Sequence, residues 1–273
     1  MRLVIAMKIA RAVVNNIPLW GMVQKDTLHV LHGNPFDSIQ ITRKEIPLET
    51  VRFLPPSVPT KIILAGLNYK EHALELSMKL PEEPVIFMKP VSSLSADKDA
   101  IVYPQGVARL DYEAEMAVII KRTCRNIHEK EVRDYIFGYT CLNDVTARDL
   151  QKKDGQWTRA KSFDTFCPVG PWVETENTPS EKRIRLYLNK ELKQDSSTAD
   201  FIFNVEYLIS FISRIMTLFP GDIISTGTPQ GVGPMFPGDT VMVDIEGIGQ
   251  LVNTVQKAPD SGTFSAVSGE KAQ

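Results

Sequence analysis

Two glutamates two positions apart carry the first chemical signal in the sequence. The segment 111–115 (DYEAE) runs directly into 116–120 (MAVII), whose apolar and partly β-branched residues predict a buried strand. Because alternate side chains of a strand share one face, we expect Glu113 and Glu115 to point the same way. Two carboxylates at the mouth of a buried strand repel each other, and a hard divalent cation with oxygen ligands would relieve that repulsion.

A third carboxylate follows at Asp144, inside the segment 143–149 (NDVTARD). Together with Glu113 and Glu115 it would leave about three positions of an octahedral magnesium shell for water or substrate oxygens. Two other interpretations remain open at this level. The glutamate pair also suits a solvated strand face, and Asp144 also suits a cap of the turn before Arg148.

A histidine and a glutamate lie three positions apart on a predicted helix. His72 and Glu75 are therefore neighbours on one helical face. A carboxylate beside an imidazole raises its basicity and selects its tautomer, so the pair is a candidate general base. The alternative is an ordinary exposed histidine–glutamate pair.

Two further segments have residue types that suit a reaction site. Lys161 lies in the polar segment 159–164 (RAKSFD) and would offset a developing oxyanion, although most lysines simply face solvent. The glycine-rich loop 226–233 (TGTPQGVG) follows a predicted strand and could bind a carboxylate through its N–H groups, or be only a tight turn. It lacks the phosphate-binding GxxxxGK[ST] pattern, which argues against a nucleotide site.

The elements that must position these residues are mostly short strands, so we predict a β-rich α+β fold. The proline-rich segment 54–59 (LPPSVP) separates a small N-terminal β-rich domain, 1–58, from a large domain, 59–258. A tail rich in serine, glycine and lysine, 259–273, is expected to be flexible.

Four local signals place elements inside this frame. The segment 68–78 predicts the helix that carries His72. Asn126 is expected to cap a second helix that ends at Gly138, and Asn204 to cap a third. Residues 183–188 and 192–195 predict a hairpin that turns at 189–190.

Composition excludes several classes of protein. The net charge is −2 and there is no basic run, so nothing indicates nucleic-acid binding. No stretch approaches the 18 apolar residues of a membrane span, so no membrane partner is expected. Three widely spaced cysteines form no disulfide framework, which favours a reducing cytoplasm. With only four histidines, a metal would be held by oxygen atoms.

Six segments in order make the sequence resemble the fumarylacetoacetate hydrolase family. They span roughly 60–255 and are the following: 66–75 (GLNYKEHALE), 87–90 (FMKP), 111–115 (DYEAE), 138–151 (GYTCLNDVTARDLQ), 161–164 (KSFD) and 226–233 (TGTPQGVG). Each motif alone is modest, but their order is highly specific. The resemblance implies a mixed β-roll catalytic domain, a homodimer, and one Mg²⁺ or Mn²⁺ in each subunit.

The same resemblance implies roles for individual residues. Glu113, Glu115 and Asp144 would be the metal ligands. His72 and Glu75 would form a catalytic dyad, and Lys161 would act beside them. The substrate contacts would come from Gln151 and Thr228, whereas Arg148 and Lys89 would have structural or supporting roles.

The reaction is less defined than the site. The first hypothesis is a C–C bond hydrolase or decarboxylase that acts on a small 2-oxo or β-diketo acid through an enolate. The second is an isomerase of an enol-diacid of the 2-hydroxyhepta-2,4-diene-1,7-dioate type from aromatic catabolism. Leu67 favours the second, because some decarboxylases and acylpyruvate-cleaving members carry a carboxylate-binding arginine there. A third hypothesis, a non-catalytic scaffold, does not explain the complete set of candidate residues.

Overall fold

The computed structural model describes residues 7–75, 77, 79–176 and 179–259. These residues form twenty strands, four α-helices and four short 3-10 helices. The strands are β1 (Lys8–Val14), β2 (Ile17–Gln24), β3 (Thr27–Leu31), β4 (Ile41–Pro47), β5 (Arg52–Leu54), β6 (Ile62–Ala65), β7 (Ile86–Lys89), β8 (Leu94–Ser95), β9 (Ala100–Tyr103), β10 (Leu110–Tyr112), β11 (Ala114–Ile120), β12 (Ile136–Asn143), β13 (Thr146–Ala147), β14 (Cys167–Glu174), β15 (Arg183–Leu188), β16 (Glu191–Ser197), β17 (Ile223–Ser225), β18 (Gly233–Met235), β19 (Thr240–Ile245) and β20 (Gly249–Lys257). The α-helices are α1 (Lys70–Glu75), α2 (Arg148–Asp154), α3 (Thr158–Lys161) and α4 (Val205–Ile215), and the 3-10 helices are Leu48–Thr50, Val91–Ser93, Glu129–Tyr135 and Thr198–Asp200.

Three sheets organise these strands, and the predicted β-rich α+β fold is confirmed. The largest sheet has twelve strands in the order β4-β3-β2-β1-β14-β12-β11-β17-β6-β7, with β5 paired to β1 and β8 to β14. A five-stranded sheet has the order β16-β15-β19-β20-β9, and a small one has the order β13-β10-β18. Most pairs are antiparallel, but β17–β6, β14–β8 and β20–β9 are parallel, so the arrangement is mixed.

Strand β11 lies at the centre of the molecule, and all seven of its residues are buried. Met116 and Val118 belong to one hydrophobic cluster, whereas Ala117 and Ile119 belong to another. This alternation means that β11 is covered on both faces, as its continuous apolar run predicts. The glutamates at its beginning are therefore attached to a rigid element.

The first five strands have a hydrophobic cluster of their own, which includes Ala10, Val23 and Leu28. Strand β1 also pairs with β14, so these strands continue the large sheet. The domain division at 58/59 stays a prediction. Apart from Pro259, the predicted tail lies outside the described residues, as does the segment 1–6.

The hairpin and the third helix form where the sequence predicts them. β15 and β16 are joined by Asn189 and Lys190, whose φ angles of 53° and 71° are those of a tight hairpin turn. The Asn204 side chain accepts a hydrogen bond from the N–H of Tyr207 at 2.8 Å and caps α4.

The predicted second helix is wrong in its start, its type and its end. Asn126 has a φ of 53° and caps nothing; a 3-10 helix begins after His128, whose backbone N–H donates to the Glu131 carboxylate at 2.9 Å. Gly138 lies inside β12, where a Cβ atom would meet the carbonyl oxygen of Glu174 at 2.3 Å. Close packing between strands, and not the end of a helix, is the reason for this glycine.

Helix α1 is shorter than the predicted 68–78. It spans Lys70–Glu75, and residues 76 and 78 lie outside the described residues. Asn68 anchors its beginning, since its amide donates to the carbonyls of Phe203 at 3.0 Å and Thr226 at 2.8 Å. The described part of the chain contains no helix long and apolar enough to cross a membrane.

Candidate active site

Two neighbouring strands bring the three candidate ligands together. Glu113 occupies the single position between β10 and β11, Glu115 lies at the start of β11, and Asp144 directly follows β12. The β11–β12 register pairs Ala114 with Asn143, so Asp144 lies beside Glu113 and donates its N–H to the Glu113 carbonyl at 2.9 Å. All three carboxylates are buried, and one oxygen of each lies within 4.8 Å of the others.

Cationic side chains compensate for two of the three carboxylates. Lys161 Nζ lies 2.9 Å from Glu113 Oε2 and 2.5 Å from Asp144 Oδ2, while the Arg148 guanidinium forms an ion pair with Glu113. Burial alone would lower the pKa of Lys161, but Asp144 and Glu113 outweigh it and raise that pKa. Burial likewise opposes ionisation of Glu113, yet Lys161 and Arg148 lower its pKa. Lys161 is therefore cationic and Glu113 anionic.

Glu115 has a different environment. Burial, together with the negative charges of Asp144 and Glu113, raises its pKa well above the usual value. The Ser225 hydroxyl and the Gly227 N–H donate to its Oε2, but the salt bridges of the described chain include none to Glu115. Among the ion pairs of the described residues, Glu115 is thus the one carboxylate of the cluster without a cationic partner.

One oxygen of Asp144 forms an ion pair but no well-aligned hydrogen bond. Lys89 Nζ lies 2.6 Å from Asp144 Oδ1, but it directs its hydrogen bonds at the carbonyls of Val145, at 3.0 Å, and Phe166. A buried carboxylate oxygen with room for another partner, next to a glutamate without an ion pair, suits a small cation. Because every candidate ligand is a carboxylate oxygen, the site fits a hard divalent ion.

Replacing Lys89 with methionine is expected to lower the free energy of unfolding of the metal-free protein by about 3–5 kcal/mol, as for other buried ion pairs that lose one partner. The apolar chain fills the same space, but Asp144 loses a counter-charge and two carbonyls lose their donor. Chemical denaturation in EDTA measures the change. Lys152→Met, at an exposed lysine, is the control and should change the free energy by less than about 0.5 kcal/mol. Equal stability of the two variants would contradict this view of Lys89.

The histidine and the glutamate of α1 form the predicted pair. His72 Nδ1 lies 2.9 Å from Glu75 Oε2, and the Glu75 carboxylate also accepts the Gly231 N–H at 3.2 Å. The His72 side chain is only 7% exposed. A hydrogen bond from Nδ1–H to the carboxylate would leave Nε2 as the proton acceptor.

One cavity of about 500 Å³ joins the pair to the carboxylate cluster. Its polar lining includes His72, Glu113, Asp144 and Lys161. Its apolar lining includes Leu67, Val85, Phe87 and Trp157. A small ligand would therefore contact the oxygen cluster, a cation and an imidazole while much of its surface was shielded from water.

The two predicted substrate contacts are placed differently. Gln151 lines the cavity, and its Oε1 accepts a hydrogen bond from Arg148 at 2.6 Å. Thr228 is buried and does not line the cavity among the described residues; its hydroxyl accepts a hydrogen bond from Gln194 at 2.9 Å. Leu67 lies in the cavity wall, and its influence on specificity stays a prediction.

Sequence reasoning missed several contributors. Asp111 is fully buried and binds both Arg148, at 2.8 Å, and Arg109, at 2.7 Å, which orients the guanidinium that pairs with Glu113. The alternation of Asp111 with Glu113 and Glu115 in the sequence was the signal that could have identified this residue. Trp157 lies against Gly66, where a Cβ atom would meet the indole ring at 2.6 Å. Nothing in the sequence near Trp157 indicates that contact.

Comparison with known families covers almost all of the described chain. The sequence model of the fumarylacetoacetate (FAA) hydrolase C-terminal family matches residues 61–256, and that of the Rv2993c-like N-terminal family matches residues 7–56.

Two relatives have specific activities in their names. An oxaloacetate tautomerase of Rattus norvegicus, described as mitochondrial, is 41% identical over 77% of this chain and 71% of its own length. A 4-hydroxyphenylacetate degradation bifunctional isomerase/decarboxylase of Salmonella dublin is 40% identical over 74% of this chain and 48% of its own length.

Two solved structures share the fold over their whole length. A 2-hydroxyhepta-2,4-diene-1,7-dioate isomerase from Mycobacterium marinum is 38% identical, covers 94% of this chain and has a TM-score of 0.87. A maleylpyruvate hydrolase from Sphingobium, in complex with manganese(II) and pyruvate, is 30% identical, covers 93% and has a TM-score of 0.77.

Proposed function

The chain belongs to the fumarylacetoacetate hydrolase family of enzymes, and we propose that it moves a proton through the enolate of a small 2-oxo acid with a divalent metal ion. The reaction would be a keto–enol tautomerisation or an isomerisation. The observation that carries this proposal is the shared cavity, which His72, Glu113 and Asp144 all line, with Lys161 between the two carboxylates.

The cluster of Glu113, Glu115 and Asp144 would hold the ion. When bound, it would polarise the carbonyl of the 2-oxo acid and offset the negative charge that develops on the carbonyl oxygen. Mg²⁺ or Mn²⁺ is proposed because the donor set consists of carboxylates. A divalent metal is also supported by the manganese(II) in the solved maleylpyruvate hydrolase.

His72 and Glu75 would perform the proton transfer. His72 Nε2 takes a proton from the carbon next to the carbonyl, and the C–H electrons form the C=C bond of the enolate. Glu75 stabilises the imidazolium through Nδ1. Return of the proton to oxygen gives the enol, and its return to a different carbon of a conjugated chain gives the isomer.

Lys161 and the cavity walls would support this step. The Lys161 ammonium is buried and positively charged, so it would stabilise an oxyanion without reorganisation of water. Gln151 and Arg148 would hold polar groups of the substrate at the cavity wall. The apolar lining, which includes Leu67 and Trp157, would limit the access of water to the enolate.

A second candidate is C–C hydrolysis or decarboxylation of a 2-oxo or β-diketo acid. Here His72 would activate a water molecule toward a carbonyl, or CO₂ would leave without proton abstraction from carbon. The maleylpyruvate hydrolase and the bifunctional isomerase/decarboxylase favour keeping this candidate. The tautomerase and the Mycobacterium marinum isomerase are more similar in sequence to this chain than the hydrolase, and this supports proton transfer as the first candidate.

A panel of 2-oxo acids in D₂O separates the two candidates. Oxaloacetate, an acylpyruvate, fumarylacetoacetate and an enol-diacid would each be incubated with the protein and Mg²⁺, and products followed by proton NMR. Mg²⁺ without protein is the control, since the ion alone promotes enolisation and decarboxylation. We expect deuterium at the carbon next to the carbonyl, or a shifted double bond, before any carbon–carbon cleavage. Pyruvate or acid fragments that form before deuterium enters would favour the second candidate, and no protein-dependent change in any acid would contradict both.

Assembly and location remain expectations. A homodimer is proposed from the family resemblance, and a cytoplasmic location from the three free, buried cysteines.

A further inference from the structure

Gln194 is a buried amide on a strand at the edge of a sheet. β16 ends the five-stranded sheet, and Gln194 is the one buried residue among the seven of that strand, with 1% of its surface exposed. A buried side-chain amide is expected to form hydrogen bonds with specific partners, because a buried donor or acceptor without a hydrogen bond costs free energy.

A β-bulge beside Gln194 explains its inward direction. The β15–β16 register pairs Leu186 with Gln194 but Tyr187 with Leu192, so Lys193 is an extra residue in β16. Such bulges change the direction of a neighbouring side chain and are frequent next to active sites.

The Gln194 amide bridges two segments of the active site. Its Oε1 accepts the N–H of Ala114 at 2.9 Å, which lies between Glu113 and Glu115. Its Nε2 donates to the Thr228 hydroxyl at 2.9 Å and to the Pro229 carbonyl at 2.8 Å, both in the glycine-rich loop.

The glycine-rich loop continues this connection to the dyad. The Gly231 N–H donates to Glu75, which is hydrogen-bonded to His72. Gly231 also packs against the bulge, since a Cβ atom there would meet the Lys193 carbonyl oxygen at 2.5 Å, and its φ is +89°. One amide thus joins the strand of the carboxylates to the loop that holds Glu75.

We propose that Gln194 is a positioning residue that sets the placement of the His72–Glu75 dyad relative to the carboxylate cluster. It acts through the Ala114 N–H on one side and through the Thr228 hydroxyl and the Pro229 carbonyl on the other, and it is not among the residues that line the cavity. This role rests on the proposed function, because it requires that the dyad transfer the proton.

Gln194→Met is the first test, since methionine retains the length of the side chain but loses its polar contacts. We expect kcat to fall by about 10–100-fold, as for other residues that orient catalytic groups. KM and the Mg²⁺ dissociation constant should stay within about twofold, because Glu113 and Asp144 keep their own lysine partners. An unchanged kcat would overturn the proposal. So would a lower affinity for Mg²⁺ with an unchanged kcat at saturating Mg²⁺.

A double-mutant cycle with Glu75→Gln tests whether Gln194 acts through the dyad. If it does, the double variant should be no slower than the slower single variant, within about twofold. If the decreases in kcat of the two single variants multiplied in full in the double variant, the proposal would be overturned. The Glu75→Gln variant alone tests the proposed function, because a normal rate there would show that the dyad does not transfer the proton.

Two further variants separate positioning from stability. Asn253→Leu removes a buried amide, outside the site, that donates to the carbonyls of Ala96 and Asp99 at 2.9 Å. Any loss of kcat that it causes should multiply with the loss caused by Glu75→Gln. Gln194→Glu, assayed at a pH where the new carboxylate is ionised, can still accept from the Ala114 N–H but cannot donate to the Pro229 carbonyl, so it removes that contact if the methionine variant fails to fold. Its kcat should fall as for methionine; a normal kcat in folded Gln194→Glu would contradict the proposed link.

Discussion

Replacing Glu115 with glutamine is expected to weaken Mg²⁺ binding by more than about 100-fold, beyond the 10–100-fold that loss of an outer-shell partner costs. Glutamine keeps the size of the side chain and can accept the Gly227 N–H through its oxygen. It removes the one carboxylate of the cluster that has no protein cation beside it. Isothermal titration calorimetry with Mg²⁺ after EDTA treatment measures the effect.

The same substitution should not destabilise the metal-free protein. Burial and the charges of Asp144 and Glu113 already disfavour the ionised form of Glu115 and raise its pKa, so a neutral amide removes a repulsive group. Thermal unfolding in EDTA should give an equal or higher Tm. Glu174→Gln, at a buried carboxylate of β14 outside the cluster, is the control and should leave Mg²⁺ affinity unchanged. Wild-type affinity in Glu115→Gln would refute the assignment of this residue as a ligand.

Replacing His72 with alanine is expected to slow turnover by about 10²–10⁴-fold, the usual contribution of a general base. The imidazole is buried in the cavity wall and Glu75 orients it through Nδ1, whereas Glu75 itself is not among the residues that line the cavity. Steady-state kinetics at saturating Mg²⁺ measures kcat.

Metal affinity and rate should separate in this variant. His72→Ala should bind Mg²⁺ with the affinity of the wild type, since the histidine makes no contact with the carboxylate cluster in the described contacts. His128→Ala, at an exposed histidine that precedes the 3-10 helix, should retain full activity. A near-normal kcat in His72→Ala would exclude His72 as the base.

Spacing predicted that Glu113 and Glu115 share one face of a strand, whereas the addition of Asp144 and the role of all three as metal ligands were implied by the family resemblance. Glu113 and Glu115 are two residues apart at the start of a strand, and one antiparallel pairing brings in Asp144. The His72–Glu75 contact is also local, one helical turn long. Such contacts follow from strand and helix periods that a sequence displays.

The contributors that sequence reasoning missed depend on long-range packing. Gln194 is separated from Ala114 by 80 positions, and its inward direction depends on a bulge with no clear sequence signal. Trp157 reaches Gly66 across a similar separation. Asn126 and Gly138 led to a wrong helix prediction for a related reason. Asparagine suits both a helix cap and the positive φ angle found here, and glycine suits both a helix end and a close contact between strands.

The central claim is that a divalent ion in this cluster and the His72–Glu75 dyad together move a proton at carbon. The most direct measurement is protein-dependent deuterium exchange at C3 of oxaloacetate, followed by NMR in D₂O, with EDTA-treated protein before and after addition of Mg²⁺. The rate with Mg²⁺ alone is subtracted. We predict that exchange is absent without metal, returns with Mg²⁺ in the wild type, and does not return in His72→Ala. Exchange by the metal-free protein at the full rate, or by His72→Ala at the wild-type rate, would contradict the account.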